Sequence, residues 1–201
     1  MNAFLVDFQM KSLPVIVHNV TLSLSSVARD IYPLIHSIRP DWTDSNTRLV
    51  TFTEGITNAI FGLFDSRTPD DDQQALVIKL FGAHTELFID RQSELNSMIT
   101  LVEHGALTQR VLVQFNNGII YQYATGQPCS REQVRQENIA RLIATKLAHV
   151  HSVPVQDNDK PYLTSLLRQF LRLLDEHGHN SEGRFPFPRS RLRRLTRLNS
   201  V

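Results

Sequence analysis

Residues 75–123 read ALVIKLFGAHTELFIDRQSELNSMITLVEHGALTQRVLVQFNNGIIYQY, and the order of patterns within them sets the fold class. ALVIKLFG (75–82) is an apolar, partly β-branched run of strand length, bounded by polar residues and a glycine. FIDRQSELNSMITLVEHG (88–105) predicts a helix with Asp90 as its N-cap and Gly105 as its stop. Leu95, Met98, Ile99 and Val102 recur there at three- and four-residue spacing, so one face is expected to be buried. VLVQFNNGIIYQY (111–123) places two β-rich runs around Asn117-Gly118, a pair suited to the positive φ angles of a tight hairpin turn.

Upstream, RLVTFTEGITNAIFGLF (48–64) has two apolar segments around a turn-like TEGITN, which predicts strand, loop, strand. SRTPDDDQQ (66–74) has nothing to bury and reads as a solvated loop. Farther back, SSVARDIYPLIHSIRPDW (25–42) predicts a helix from about Ser26, interrupted or ended by Pro33 and closed off by Pro40. Downstream of the connector ATGQPC, Ser130 and Gln133 have capping-box spacing and open a long helix. Val134, Ile139, Leu142, Ile143, Leu147 and Val150 form its apolar stripe, and it ends near His151, before Pro154. A last helix, PYLTSLLRQFLRLLDEHG (161–178), stops at Gly178. The order is therefore three strands, a helix, two strands, a connector and two helices. That is the order of a protein-kinase-like small lobe, which other α+β folds could share; the expectation is an α+β fold with a five-stranded antiparallel sheet plus one helix, followed by helices of an incomplete large lobe. The expected divisions are a partly helical leader (1–48), the small lobe (49–124), the first large-lobe helices (125–182) and an Arg-rich tail (183–201), expected to be disordered.

Composition narrows the function classes. The 201 residues hold 21 Lys+Arg against 20 Asp+Glu, a net charge of +1, with 41% hydrophobic residues and only 8 Gly and 9 Pro, which excludes a low-complexity or fibrous chain. Cys129, the single cysteine, excludes an intrachain disulfide and a Cys-rich zinc site. No apolar run approaches the ~20 residues that span a bilayer, and Asp7 stands where a secretory signal would carry positive charge, so a cytoplasmic protein is expected. Residues 183–201 hold six arginines and no acid, which leaves the rest of the chain mildly acidic. A nucleic-acid-binding body is disfavoured on that ground. In the tail, Leu192, Leu195 and Leu198 would line one side of a short basic helix, a route to an anionic membrane surface that disorder makes the lesser expectation.

Several motifs in the same order resemble one family. TFTEGITNAIFGLF (51–64) is similar to the phosphate-covering loop of the choline/ethanolamine kinases. FNNGIIYQYATG (115–126) followed by IARLIATKLAHVHSV (139–153) is similar to their ethanolamine kinase branch. The resemblance runs from about Leu49 to Val153, with a weaker echo in HSIRPDW (36–42). It implies ATP-dependent phosphorylation of ethanolamine, with ATP and magnesium as cofactors, in the synthesis of phosphatidylethanolamine.

The residues support that implication to different degrees. A loop that cradles phosphates needs close backbone approach and small polar donors, which Thr53, Gly55, Thr57 and Asn58 supply; an ordinary glycine-containing hairpin would look the same. Lys79, in mid-strand, either snorkels to solvent or turns inward toward a charge, and by resemblance it holds the nucleotide's phosphates. Glu94 shares a helix face with Met98 and Leu101 and so wants a partner; Lys79 is the candidate, with a solvated first-turn glutamate as the alternative. Residues 120–124, including Tyr121, Gln122 and Tyr123, would be the hinge whose main chain meets adenine. The pairs His149/His151 and His177/His179 have i, i+2 spacing, which does not place two ligands on one helix face, and read as helix-end histidines.

The family's catalytic-loop aspartate and metal-binding aspartate have no counterpart motif here. Asp41 to Asn46 matches only by chance spacing, and EHGALTQRVLVQFNNG is one residue longer than the family pattern and lacks its proline. The chain is therefore expected to be a truncated ethanolamine kinase with no catalytic residue or metal ligand of its own and little turnover. A non-catalytic module that self-associates or pairs with a full-length kinase subunit is the alternative, and a relative of the aminoglycoside phosphotransferases a more distant one.

Overall fold

A computed structural model describes residues 14–52, 58–83, 85–87, 89–154 and 162–177. The chain divides into two compact units, residues 1–154 and 155–201. The first unit is built on a six-stranded sheet, against the expected five. Its strands are β1 (Ile16–His18), β2 (Thr47–Phe52), β3 (Asn58–Asp65), β4 (Leu76–Phe81), β5 (Val111–Phe115) and β6 (Gly118–Gln122), in the spatial order β1-β5-β6-β4-β3-β2. Four of the five pairings are antiparallel; β1 lies parallel to β5, opposing Ile16 to Val113 and His18 to Phe115. The additional strand, β1, is only three residues long and forms along the edge of β5.

The two faces of the sheet follow from the period of two along each strand. On β4, Leu76, Ile78 and Leu80 turn to one face, where they form the main core with Leu63, Val113 and Ile120. The covering layer is supplied by two single-turn helices, α1 (Val27–Asp30) and α2 (Tyr32–Ile35). Pro33 sits in the first turn of α2, where its missing N–H costs nothing, so the expected helix is broken into two at Ile31. Ile31, Leu34, Ile35 and Trp42 are 2% exposed or less and belong to the same core as the strands. Residues ahead of β2 are thus part of the packing of the sheet.

The opposite face carries α3 (Arg91–Glu103), which buries Leu95 against Val111 and Ile119, with Met98, Ile99 and Tyr121 around them. Asp90 caps α3 as expected, its carboxylate accepting from the Gln92 and Ser93 amides at 3.0 and 3.1 Å. Gly105, at φ 69°, ends it in the left-handed conformation. Simple alternation would put Val111 and Val113 on one face, but a register shift between them sends Val111 to the α3 side.

The hairpin forms one residue earlier than its sequence suggests. Phe115 pairs with Gly118, so Asn116 and Asn117 make the turn and Gly118 is a strand residue, not at positive φ. Gly118 is required for a different reason: a Cβ there would collide with the Lys79 carbonyl and the Phe115 ring.

Ser130 and Gln133 close the expected reciprocal capping box, with Gln133 Oε1 accepting from the Ser130 amide at 2.7 Å and Ser130 Oγ from the Gln133 amide at 3.2 Å. It caps only a single 3₁₀ turn, Gln133–Arg135; Gln136 is extended, and α4 begins at Glu137 and runs to Ser152. Pro154 forces Val153 into the extended region and ends it. Leu142, Ile143 and Leu147 on α4 are exposed. In the second unit, α5 (Tyr162–His177) is strongly amphipathic in sequence and leaves Leu163 and Leu167 exposed. Thr53, Gly55, Thr57, His179 and the tail lie outside the described residues.

Candidate functional site

Lys79 stands between Val77 and Phe81 on the face of β4 that looks toward α3. Strand alternation decides this: the neighbours Ile78 and Leu80 are committed to the main core, so Lys79 must turn to the other side. There its ammonium donates to Glu94 Oε1. Glu94 is in the first turn of α3, so the cap at Asp90 that sets where the helix begins also sets where this carboxylate points. The side chains of Lys79 and Glu94 are 16% and 26% exposed, which places the pair well away from the solvated ion pairs that contribute little.

Glu94 has a second cationic partner. Arg91 Nη1 donates to Glu94 Oε2 at 2.7 Å, so each carboxylate oxygen holds one cation. Arg91 Nη2 donates to the Thr85 hydroxyl and, at 3.2 Å, to Asn58 Oδ1, and the guanidinium lies 4.2 Å from the centre of the Phe81 ring. Burial is the largest influence on the Glu94 carboxyl and disfavours its charge, but the hydrogen bonds and charges of Lys79 and Arg91 outweigh it and hold the carboxyl below its usual range. Burial, with a smaller contribution from the Glu94 charge, pushes the nearby Tyr121 phenol up.

The cluster opens onto a cleft of about 370 Å³. Its walls are mostly apolar, with Phe52, Ile60 and Val77 from three adjacent strands, Met98 from α3, and Tyr121, Tyr123 and Ala124 from β6 and the residues after it. Lys79 is the charged residue of the lining. The Tyr123 ring is 6.4 Å from that of Phe52, nearly parallel, and 5.3 Å from that of Phe64, edge-on. Gly62 keeps this corner open, since a Cβ there would come within 2.8 Å of the Phe52 ring.

Of the residues singled out in the sequence, Lys79, Glu94, Tyr121 and Tyr123 come together here, and Asn58 joins them through Arg91. Gln122 faces away: its Oε1 accepts from the Arg110 amide at 3.0 Å. The Gln122 and Tyr123 amides are also taken, by the carbonyls of Arg110 and Ala75. Arg91 and Thr85 carried no expectation; an arginine three residues before Glu94 in a first helical turn was the available signal. His149, in the last turn of α4, donates from Nε2 to the His104 carbonyl at 3.1 Å. Among the described residues no group of three or more His, Cys, Asp or Glu side chains could hold a metal ion. No described helix is long and apolar enough to cross a membrane.

The sequence profile of the choline/ethanolamine kinases matches residues 49–198. Human (Homo sapiens) ethanolamine kinase 1 is 34% identical over 120 residues, covering 60% of this chain and 26% of that protein. Ethanolamine kinase 2 of Mus musculus is 26% identical over 159 residues, covering 79% of this chain and 40% of that one. The fold is similar to that of the Plasmodium vivax ethanolamine kinase, with a TM-score of 0.59 at 22% identity over 81% of this chain and 47% of that structure. The chain thus spans less than half the length of each of these relatives.

Proposed function

The chain belongs to the choline/ethanolamine kinase family, and from that premise we propose that it binds ATP in the cleft beside Lys79, as the nucleotide-holding part of a kinase that phosphorylates ethanolamine. The observation that carries this is the Lys79–Glu94 pair at the edge of an apolar cleft. A triphosphate needs a fixed cation, and a lysine in mid-strand is fixed only if something opposes its freedom to snorkel. Glu94 does so, and is itself kept ionised by two cations.

The residues present fit ATP. Phe52, Ile60 and Val77 offer an apolar slot of the kind a purine ring fills. Since the Gln122 and Tyr123 amides are engaged in pairing, the adenine edge would be met by main chain from Ala124 onward, and Tyr121 and Tyr123 would act as walls. Thr53, Gly55, Thr57 and Asn58 would cover the phosphates. Magnesium is different: the described residues do not form a site for it. ATP supplies the transferable phosphoryl group, and ethanolamine would accept it to give phosphoethanolamine, the head-group precursor of phosphatidylethanolamine, in the cytoplasm. Among the described residues, no carboxylate lines the cleft to orient an attacking hydroxyl. These residues therefore bind, and little turnover is expected of them alone.

Calorimetric titration of the 201-residue chain with ATP tests the reading. Saturable binding that Lys79→Ala abolishes is expected. ATP binding unaffected by Lys79→Ala would overturn the assignment of the cleft, and ethanolamine phosphorylation abolished by Lys79→Ala would overturn the expectation of little turnover.

A further inference from the structure

Arg91 sits where three parts of the fold meet, and this follows from geometry alone. Its guanidinium reaches Glu94 in α3, Asn58 at the first residue of β3, and Thr85 in the 3₁₀ turn after β4. The side chain is 16% exposed and its plane rests on Phe81, the residue two along from Lys79 on the same face of β4. A planar, five-donor group can serve three acceptors at once; an ammonium is a point charge that cannot span them. Asn58 is the first residue of β3, which pairs with β4 on one side and β2 on the other. Because Arg91 only donates, it also decides which end of the Asn58 amide faces inward: the oxygen.

We propose that Arg91 is a positioning residue that locks helix α3, and with it the Glu94–Lys79 pair, to the start of β3, so that the Lys79 ammonium and Asn58 are held at a fixed separation for one polyphosphate ligand. The inference rests on the reading of the cleft as an ATP site. Glu94 is the group through which Arg91 acts on Lys79, and the charged and titratable groups facing it are Lys79, Arg91 and Tyr121. A cation lost from one carboxylate oxygen leaves Glu94 free to rotate away from Lys79, and leaves Asn58 and Thr85 without their shared donor.

The test uses the full chain and two readouts, ATP affinity by calorimetry and the titration of the Glu94 side-chain carboxyl by ¹³C NMR. In Arg91→Met the Glu94 midpoint is expected to rise and ATP affinity to fall about ten- to a hundredfold, the range for losing hydrogen bonds to a charged group. Arg91→Lys is expected to restore most of the Glu94 midpoint but only part of the affinity, since one ammonium cannot also hold Asn58 and Thr85. That variant keeps charge and bulk, so it also stands in if Arg91→Met does not fold. A folded Arg91 variant with wild-type ATP affinity and an unmoved Glu94 midpoint would overturn the proposal and leave Arg91 a packing residue. Failure of the wild-type chain to bind ATP would instead sink the nucleotide reading and the binding role with it, while the Glu94 titration still reports separately whether Arg91 holds the carboxylate.

Discussion

Asn117 spends both ends of its side-chain amide on the main chain of Leu22, 95 residues away: its Oδ1 accepts from the Leu22 amide at 3.0 Å and its Nδ2 donates to the Leu22 carbonyl at 2.8 Å. The Asn116 amide adds a bond to the Val20 carbonyl at 3.0 Å. The hairpin turn is thereby the clamp that holds the segment after β1 against the sheet. Asn117→Ala leaves a donor and an acceptor of the 4% exposed Leu22 unmet, and a loss of about 1–3 kcal/mol is expected. Urea denaturation reads it; a change below about 0.5 kcal/mol would mean the segment is not held by this residue.

Gly118 abuts both the Lys79 carbonyl and the Phe115 ring. Gly118→Ala must push β6 from β4 or displace Phe115 from the core, and about 1–3 kcal/mol of destabilisation is expected. Gly126, at φ 134° with open space around the position of a Cβ, provides the contrast. Its replacement by alanine strains only the backbone and should leave β4–β6 amide exchange unchanged, whereas Gly118→Ala should speed it.

Asp90 holds the first turn of α3 and, through it, the position of Glu94. Asp90→Ala is expected to cost about 1 kcal/mol of stability, as for other lost N-caps. It should also weaken ATP binding, although Asp90 is not among the residues lining the cleft. A loss of stability with ATP affinity intact would show that Glu94 is positioned without the cap.

The Glu94 carboxyl titrates below its usual range in the folded chain. Its contribution to stability is therefore fully present above the ordinary carboxylate value and is lost as pH falls through the depressed folded midpoint. Glu94→Gln should be less stable than the parent at neutral pH, and the difference should shrink as the solution is acidified. Chemical denaturation at a series of pH values measures both; a difference independent of pH would show that the carboxylate charge is not what matters.

Leu142 and Leu147 on α4 are 67% and 52% exposed. Replacing both by glutamate should leave the stability of the first unit within about 0.5 kcal/mol. A large loss by thermal denaturation would mean that this stripe is covered in solution.

Much of the fold is legible in the chain because its signals are local. The cap at Asp90, the stop at Gly105, the helix break around Pro33 and the capping box at Ser130 and Gln133 each involve residues a few positions apart, and their hydrogen bonds form wherever the chain goes next. Lys79 was legible too, since a period of two on a strand with one apolar face leaves only two places for an amine. Where reading failed, the cause was a partner far off in sequence. Ile16–His18 becomes β1 only because β5 has an edge to pair with. Gly118 is a glycine because the β4 backbone passes beside it, not because a turn needs it.

What the sequence by itself determined was the order of the elements from β2 onward, the family, and the two charges on which the site turns. What only the tertiary structure decided was how those charges are held. Glu94 has two acceptor oxygens, and nothing within α3 dictates which cation takes which; the approach of β4 puts Lys79 on one, and the meeting of β3 with the turn at Thr85 draws Arg91 onto the other. Local propensity acts over a turn or two of chain, whereas a partly buried charge is satisfied by whatever the packing of distant segments brings within reach.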